Sequence, residues 1–335
     1  MKAILLTAPG GVENLKMAQV AQPELVHPEH ILVRLHAAGI NPVDYKMRQR
    51  GGFFPDRLPI ILGCDGAGIV EALGQQVKRF QVGDEVYFFN GGIGTQEQGN
   101  YAEYTTIHQD YAARKPKNLS FVDSAAVPLA WITAWESLMD HAQLQSNQKV
   151  LIHAAAGGVG HLAVQLAKKL GAKIAVTVKG KEKTEFVRSL GAELCIDYST
   201  TDFVQATLEW TQGKGVDVVF DTIGGNICCR SVAATRVYGK LVTILDLDCD
   251  SSTLKLARLR NIHLIQELML SPQYLTMHEA RIAQRKMLEK ATDMFEANHL
   301  TVRVSKVFSL EEVAQAHELI EGGHTFGKMV FQMVT

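Results

Sequence analysis

Within GCDGAG, Gly63 to Gly68, a thiol and a carboxylate stand side by side in a run of glycines. Both are groups a metal ion accepts, so the stretch reads either as half of a metal site or as a sharp backbone turn whose Cys is incidental. A second stretch carries a sharper signal. In VLIHAAAGGVGHLAVQLAKKLGA, Gly158, Gly160 and Ala163 fill the G-x-G-x-x-G/A positions of a dinucleotide fingerprint. Glycines there let the backbone turn tightly against a pyrophosphate, whose charge then meets the positive end of a helix. About 20 residues further on, an Asp or Glu binds a free ribose 2′-hydroxyl, whereas cations bind a 2′-phosphate. This chain has TVKGKEK at that point, with Lys179, Lys181 and Lys183 and Glu182 as the one acid among them, which favours NADPH over NADH.

These groups need a scaffold to hold them. From Lys149 to Leu270 the apolar runs KVLIHA, KIAVTV, ELCIDY, VDVVFD, KLVTIL and IHLIQEL alternate with helix-like segments. Runs without polar alternation are strands buried on both faces of a parallel sheet. After GGVG, Leu162, Ala163, Leu166, Ala167 and Leu170 recur one turn apart, as the buried face of a helix does. The fold class is therefore α/β, with a doubly wound parallel sheet. The chain ahead of Asp123 differs: ILVRLHAAGI, AGIVEAL, DEVYFF and YAEYTTI are short strands between Gly, Pro, Asn and Asp, as in a compact, mostly β domain. The opening MKAILL reads as an edge strand running into a turn. Beyond Leu270 two helices are expected, the second opened by Ser309 and Glu312 at capping-box spacing, followed by the strand GKMVFQMV. Too short to stand alone, this tail is expected to complete the N-terminal domain.

At 335 residues the chain is long enough for about two domains of roughly 150 residues. Its 34 basic and 35 acidic side chains give no global charge that would attract nucleic acid or a membrane surface. No run approaches the ~18 apolar residues of a membrane span. The five Cys are scattered and Cys228 adjoins Cys229, a poor arrangement for a structural disulfide framework. A reducing, cytoplasmic location is the simplest reading.

The stretches AAGINPVDYK, GCDGAGIVEALG, VGDEVY, GNYAEY, SAAVPLAWITAWESL, VLIHAAAGGVGHLAVQLAKKLGA and GVDVVFDTIGG occur in this order. Together they resemble the medium-chain dehydrogenase/reductase superfamily, in its zinc-free NADPH:quinone oxidoreductase branch with the ζ-crystallin-like enzymes. The likeness covers essentially the whole chain. It implies a GroES-like, mostly β catalytic domain from residues 1–123, a Rossmann NADPH-binding domain over 124–270, and a return segment, 271–335, that completes the first. Asn41 matches a residue that approaches the nicotinamide, Thr133 matches one that touches the cofactor, and Gly158 and Val159 lie under the pyrophosphate. Lys183 and Tyr198 match positions that hold the 2′-phosphate and adenosine. Gly157, Gly160, Gly224 and Ile244 complete the candidate cofactor-binding set. Ile244 and Leu245 depart from the Phe-Gly that the family often has in the fifth strand, on the nicotinamide side. A homodimer is implied as well, through IHLIQEL at the sheet edge.

The zinc-dependent relatives hold a catalytic zinc at positions that correspond here to Asn41, Cys64 and Leu129. Leu129 carries no ligand atom, and a catalytic zinc needs about three protein ligands. The stretch from Gly83 to Asp110, where a structural zinc lobe would lie, contains no Cys. His36, His108 and His153 lack metal-ligand spacing. No metal is expected. Without a Lewis acid an alkoxide loses its usual stabilisation, so the substrate expected is an acceptor already open to hydride. A quinone leads; the alternative is an α,β-unsaturated carbonyl, an enone or alkenal. Tyr45 and Lys46, just after NPVD, are the candidate catalytic donors on the substrate side, with Tyr45 reading equally as a wall residue. Phe53 and Phe54 either cap a substrate mouth or pack a loop. Two readings rank lower: a zinc alcohol dehydrogenase, and a non-catalytic dinucleotide- or RNA-binding protein as among some ζ-crystallin relatives. No dedicated nucleic-acid partner and no membrane partner is expected.

Overall fold

The computed structural model describes residues 1–323 and 325–333. The chain divides into two compact units, Met1–Leu129 with Leu270–Thr335, and Ala130–Met269. The first unit begins with β1 (Lys2–Leu6), β2 (Leu15–Gln19), β3 (His30–Ile40), α1 (Pro42–Arg50), β4 (Ile60–Ile61), β5 (Asp65–Leu73), β6 (Glu85–Phe89), β7 (Tyr104–His108), β8 (Ala112–Arg114) and α2 (Phe121–Ala125). Helix α3 (Pro128–Trp135) opens in this unit and runs on into the second. There follow β9 (Lys149–Ile152), α4 (Gly158–Lys169), β10 (Lys173–Val178), α5 (Lys181–Leu190), β11 (Leu194–Asp197), α6 (Phe203–Trp210), β12 (Val216–Asp221), α7 (Gly225–Ala234), β13 (Thr235–Thr243), α8 (Ser251–Leu259) and β14 (His263–Gln266). The chain returns to the first unit with α9 (Ser271–Tyr274), α10 (His278–Glu296), β15 (Val304–Phe308), α11 (Val313–Glu321) and β16 (Lys328–Gln332).

In the second unit the six strands form one parallel sheet in the order β11-β10-β9-β12-β13-β14. Val150 at its centre pairs with Ile174 on one side and Val218 on the other. Leu151, Ala175, Val219 and Leu241 are fully buried, as expected of strands covered on both faces. Chain order reverses between β9 and β12, and in open α/β sheets ligands bind outside the strand ends at that switch point. Helix α4 starts there.

In the first unit β16, β3, β5, β6 and β8 are neighbours in a larger sheet, with β15 beyond β16 and β7 on β3. Ile31, Val33, Val70, Val86, Phe88 and Ile107 form its core. The last strand lies antiparallel to β3, Met329 opposite Ile40. The glycines of GCDGAG serve close packing in β5. A Cβ on Gly68 would stand 2.1 Å from the Arg34 carbonyl oxygen, and one on Gly66 2.7 Å from the Phe88 ring. Gly63 has φ +91°, and a Cβ there would lie 2.3 Å from Tyr101.

Three expectations change. MKAILL is not an edge strand, because β1 lies between β2 and β4 in a three-stranded sheet. Beyond Leu270 the two helices are present, and the amide of Ser309 donates to Glu312 Oε2 at 2.8 Å as the capping box requires. The short α9 and strand β15 are additional; β15 becomes a strand by pairing with β16, a partner that local sequence does not display. The expected closing strand reaches Val334, which lies outside the described residues. The third change concerns cysteine. Cys229 is joined to Cys249. Neighbouring helix positions point about 100° apart, so Cys228 enters the core while Cys229 faces the loop ahead of α8.

Candidate functional site

The dinucleotide fingerprint lies where the topology requires it, between β9 and α4 in the second unit. A Cβ on Gly160 would stand 2.5 Å from the Ala154 carbonyl oxygen and 2.7 Å from Ala155 Cα. Helix and strand therefore approach as closely as glycine alone permits. Gly157 is the N-cap, and the amides of Gly158, Val159 and Gly160 head the helix, where no preceding turn supplies acceptors.

The floor of this turn is a buried polar chain that His153 organises. Its Nε2 lies 2.8 Å from Ser231 Oγ and its Nδ1 3.1 Å from Thr177 Oγ1. Burial lowers the imidazole pKa to about 4, so the ring is neutral near pH 7. Ser231 donates its own proton to the Ile227 carbonyl, which leaves its oxygen to accept from His153 Nε2–H. Nδ1 then accepts from Thr177, whose oxygen accepts from the amide of Ala154, a residue at φ +47°. His153 is thus a builder of the turn, and not a group recruited by a metal.

At the next turn, Asp221 is fully buried at the end of β12. It accepts from the amides of Ile223 and Gly224 and, at 2.7 Å, from Thr243 Oγ1. Gly224 and Thr243 are consequently fixed by one carboxylate, and the amide of Ile244 donates to the main-chain carbonyl of the same Asp221 at 3.2 Å. Sequence reasoning missed Asp221, although it stands inside GVDVVFDTIGG.

Beyond β10, Lys179 and Lys181 are exposed and Lys183 is half-buried in the first turn of α5. Tyr198 is exposed just past β11. Asp197, also overlooked, accepts from the Gly180 amide at 3.2 Å and from the amide and hydroxyl of Ser199. These bonds, the Ser199 hydroxyl foremost, hold its carboxyl below the usual range. Thr133 is buried on α3. The residues of this unit fit a dinucleotide: the cradle at Gly160 admits no side chain, and lysines gather past β10.

In the first unit, Asn41, Asp44, Cys64, Asp65, Tyr101 and Lys328 form a cluster in which none is more than 3% exposed. Asn41 caps α1. Its amide donates to Asp44 Oδ2 at 2.7 Å, its Nδ2 to Asp65 Oδ2 at 2.9 Å, and its Oδ1 accepts from Lys328 Nζ. Asp65 Oδ1 accepts from the Leu129 amide at 2.8 Å, and Lys328 Nζ lies 3.5 Å from Asp65 Oδ2. Tyr101 donates its hydroxyl to Asp44 Oδ2 at 2.7 Å. Burial pushes Asp44 up to about 7 and holds the Cys64 thiol well above its ordinary range. Tyr45 and Lys46, in the same helix, are half-buried. Phe53 and Phe54 pack on Tyr274, ring centroids 4.9 Å and 5.6 Å away.

This donor set does not fit zinc. Asp65 already faces the Lys328 ammonium, a cation held by the protein itself. Leu129 turns a donor N–H towards Asp65, where a ligand would need a lone pair. Among the described residues no group of three or more His, Cys, Asp or Glu side chains is arranged to hold a metal ion. No helix among them is long and apolar enough to cross a membrane.

Residues 27–117 match the alcohol dehydrogenase GroES-like domain, and residues 190–331 match the zinc-binding dehydrogenase model. The chain is 32% identical to a quinone oxidoreductase of Pseudomonas aeruginosa over 98% of both chains. It is 40% identical over 254 residues to a 2-methylene-furan-3-one reductase of Solanum lycopersicum, covering 73% of this chain and 62% of that protein. The chain thus spans less than two thirds of that longer relative. Among solved structures, the Escherichia coli quinone oxidoreductase complexed with NADPH superposes with a TM-score of 0.86 at 28% identity, covering 99% of this chain and 100% of that one.

Proposed function

The chain belongs to the medium-chain dehydrogenase/reductase superfamily, and from that premise we propose that it is an NADPH-dependent oxidoreductase that reduces a quinone without a metal. The observation that carries the reading is the glycine cradle opening α4 at the switch point of the sheet, with lysines past the next strand. Bound NADPH would supply the hydride. The amides of Gly158, Val159 and Gly160 would hold its pyrophosphate, and Lys179, Lys181, Lys183 and Tyr198 its 2′-phosphate and adenosine. Thr133, Gly224 and Ile244 are the second unit's candidates for the nicotinamide end. From the first unit Asn41 is the candidate, and with Nδ2 and Oδ1 already engaged it has the second amide hydrogen to offer. Tyr45 and Lys46 would donate protons to the reduced acceptor.

The chemistry of the first unit supports this choice of acceptor. An alcohol would need its alkoxide stabilised, and Lys328 already takes the cation's place against Asp65. A quinone delocalises incoming charge onto its own oxygens. Reduction of an enone or alkenal is the second reading, supported by the 40% identity to the furanone reductase. A homodimer is supported by β14, which ends the six-stranded sheet. The test is NADPH oxidation with benzoquinone, naphthoquinone, an alkenal and a cyclic enone side by side. Turnover with the quinones in excess of the others supports the proposal. Turnover with the alkenal or enone alone moves it to the second reading, and oxidation of NADPH with none of them overturns both.

A further inference from the structure

We infer that Asp65 and Lys328 are positioning residues for hydride transfer, setting the orientation of the Asn41 amide. The inference rests on the hydride-transfer reading above, in which Asn41 serves the nicotinamide end. An amide side chain can be turned over with almost no change of shape, so its orientation is decided by partners alone. Here the partners leave one choice. The Lys328 ammonium donates, so it requires Oδ1; Asp65 has one oxygen on the Leu129 amide and the other facing the Lys328 ammonium, so it accepts and requires Nδ2. The same carboxylate takes the Leu129 amide in the first turn of α3, the helix that carries Thr133. Asp65 therefore fixes Asn41 and the start of that helix together.

The ion pair is an expensive way to do this. Both charges are buried, and a pair of similar shape without charge often costs no stability. A capped helix and a packed strand would need only neutral partners. What the charges add is that neither end of the Asn41 amide can exchange roles. Lys328 comes from the last strand, 287 residues beyond Asn41, so the orientation is also set only once the chain's two ends are paired.

The test is the double variant Asp65→Asn, Lys328→Met. It removes both charges, and the new amide can still accept from Leu129 while donating to Asn41 Oδ1, which turns the Asn41 side chain over. The expected result is a folded protein with an unchanged melting temperature and unchanged affinity for adenosine 2′,5′-bisphosphate. Its kcat for NADPH oxidation should fall by about tenfold or more. Unchanged kcat in the folded variant would overturn the inference, as would equal losses in kcat and in affinity for the bisphosphate. If the double variant does not fold, Lys328→Gln and Lys328→Leu are compared in the same assays. Turnover kept by Gln, which retains a donor, and lost by Leu at equal bisphosphate affinity supports the role; equal turnover in the two overturns it. A wild-type protein that binds NADPH but oxidises it with no acceptor defeats the functional reading instead, and is seen before any variant is made.

Discussion

Asp44 shows how a single buried carboxyl can govern a measurable property. Unfolded, its carboxyl titrates near 4; folded, burial pushes it up to about 7. Between those values the folded state holds a proton that the unfolded state has released, so its contribution to stability falls as pH rises through that window. Asp44→Asn imitates the protonated acid and keeps an oxygen for the Asn41 amide and Tyr101. Relative to wild type, the variant should gain stability between about pH 5 and pH 8, read from denaturant midpoints. A constant difference across that range would show that Asp44 is ionised throughout. At this scale the sequence is only half legible. Asp65 reads as an anchor for backbone or a cation, and it holds both. Asp44 reads as a group that positions backbone, and it accepts from the Asn41 amide; the roles of His153 and Lys328 are not legible, because their partners arrive from distant parts of the chain.

Elements were easier to read than residues where period and punctuation agree. KIAVTV and VDVVFD are β10 and β12 to the residue, since an unbroken apolar run bounded by Gly and Lys or Asp has few other uses. On the proposed reading, the turn past β10 carries the preference for NADPH. Replacing Lys179, Lys181 and Lys183 by Ala should weaken NADPH much more than NADH; equal weakening in a binding titration would show that the 2′-phosphate sits elsewhere. The disulfide was not legible, because loop geometry, and not Cys spacing, brings residues 229 and 249 together. It clamps α7 to the loop after β13 that begins at Ile244. With a sequence separation of 20 between its ends, its loss should cost roughly 3 kcal/mol. Dithiothreitol should lower the melting temperature of the wild type and leave that of Cys249→Ser unchanged; no effect on the wild type would mean the thiols do not pair.

For the whole molecule, the α/β sheet and its order follow from the alternation of apolar runs and helices, while β1 was misplaced because its second neighbour, β4, is only two residues long. The sheet's last strand bears on assembly. Glu267 donates its amide to Thr243 of β13, and alternation along a strand then turns the amide of Leu264 to the open side. Leu264→Pro removes that donor. Sedimentation velocity should show a dimer for the wild type and a monomer for the variant, and a wild-type monomer would rule out this assembly. For the molecule as a whole, the proposed function is one reaction: hydride from NADPH to a quinone with no metal taking part. The direct measurement is kcat/KM for NADPH and for NADH with 1,4-benzoquinone after treatment with a chelator. The expected result is turnover that the chelator leaves intact and a clear preference for NADPH. Activity that disappears with the chelator and returns with zinc, or an equal use of both cofactors, would contradict it.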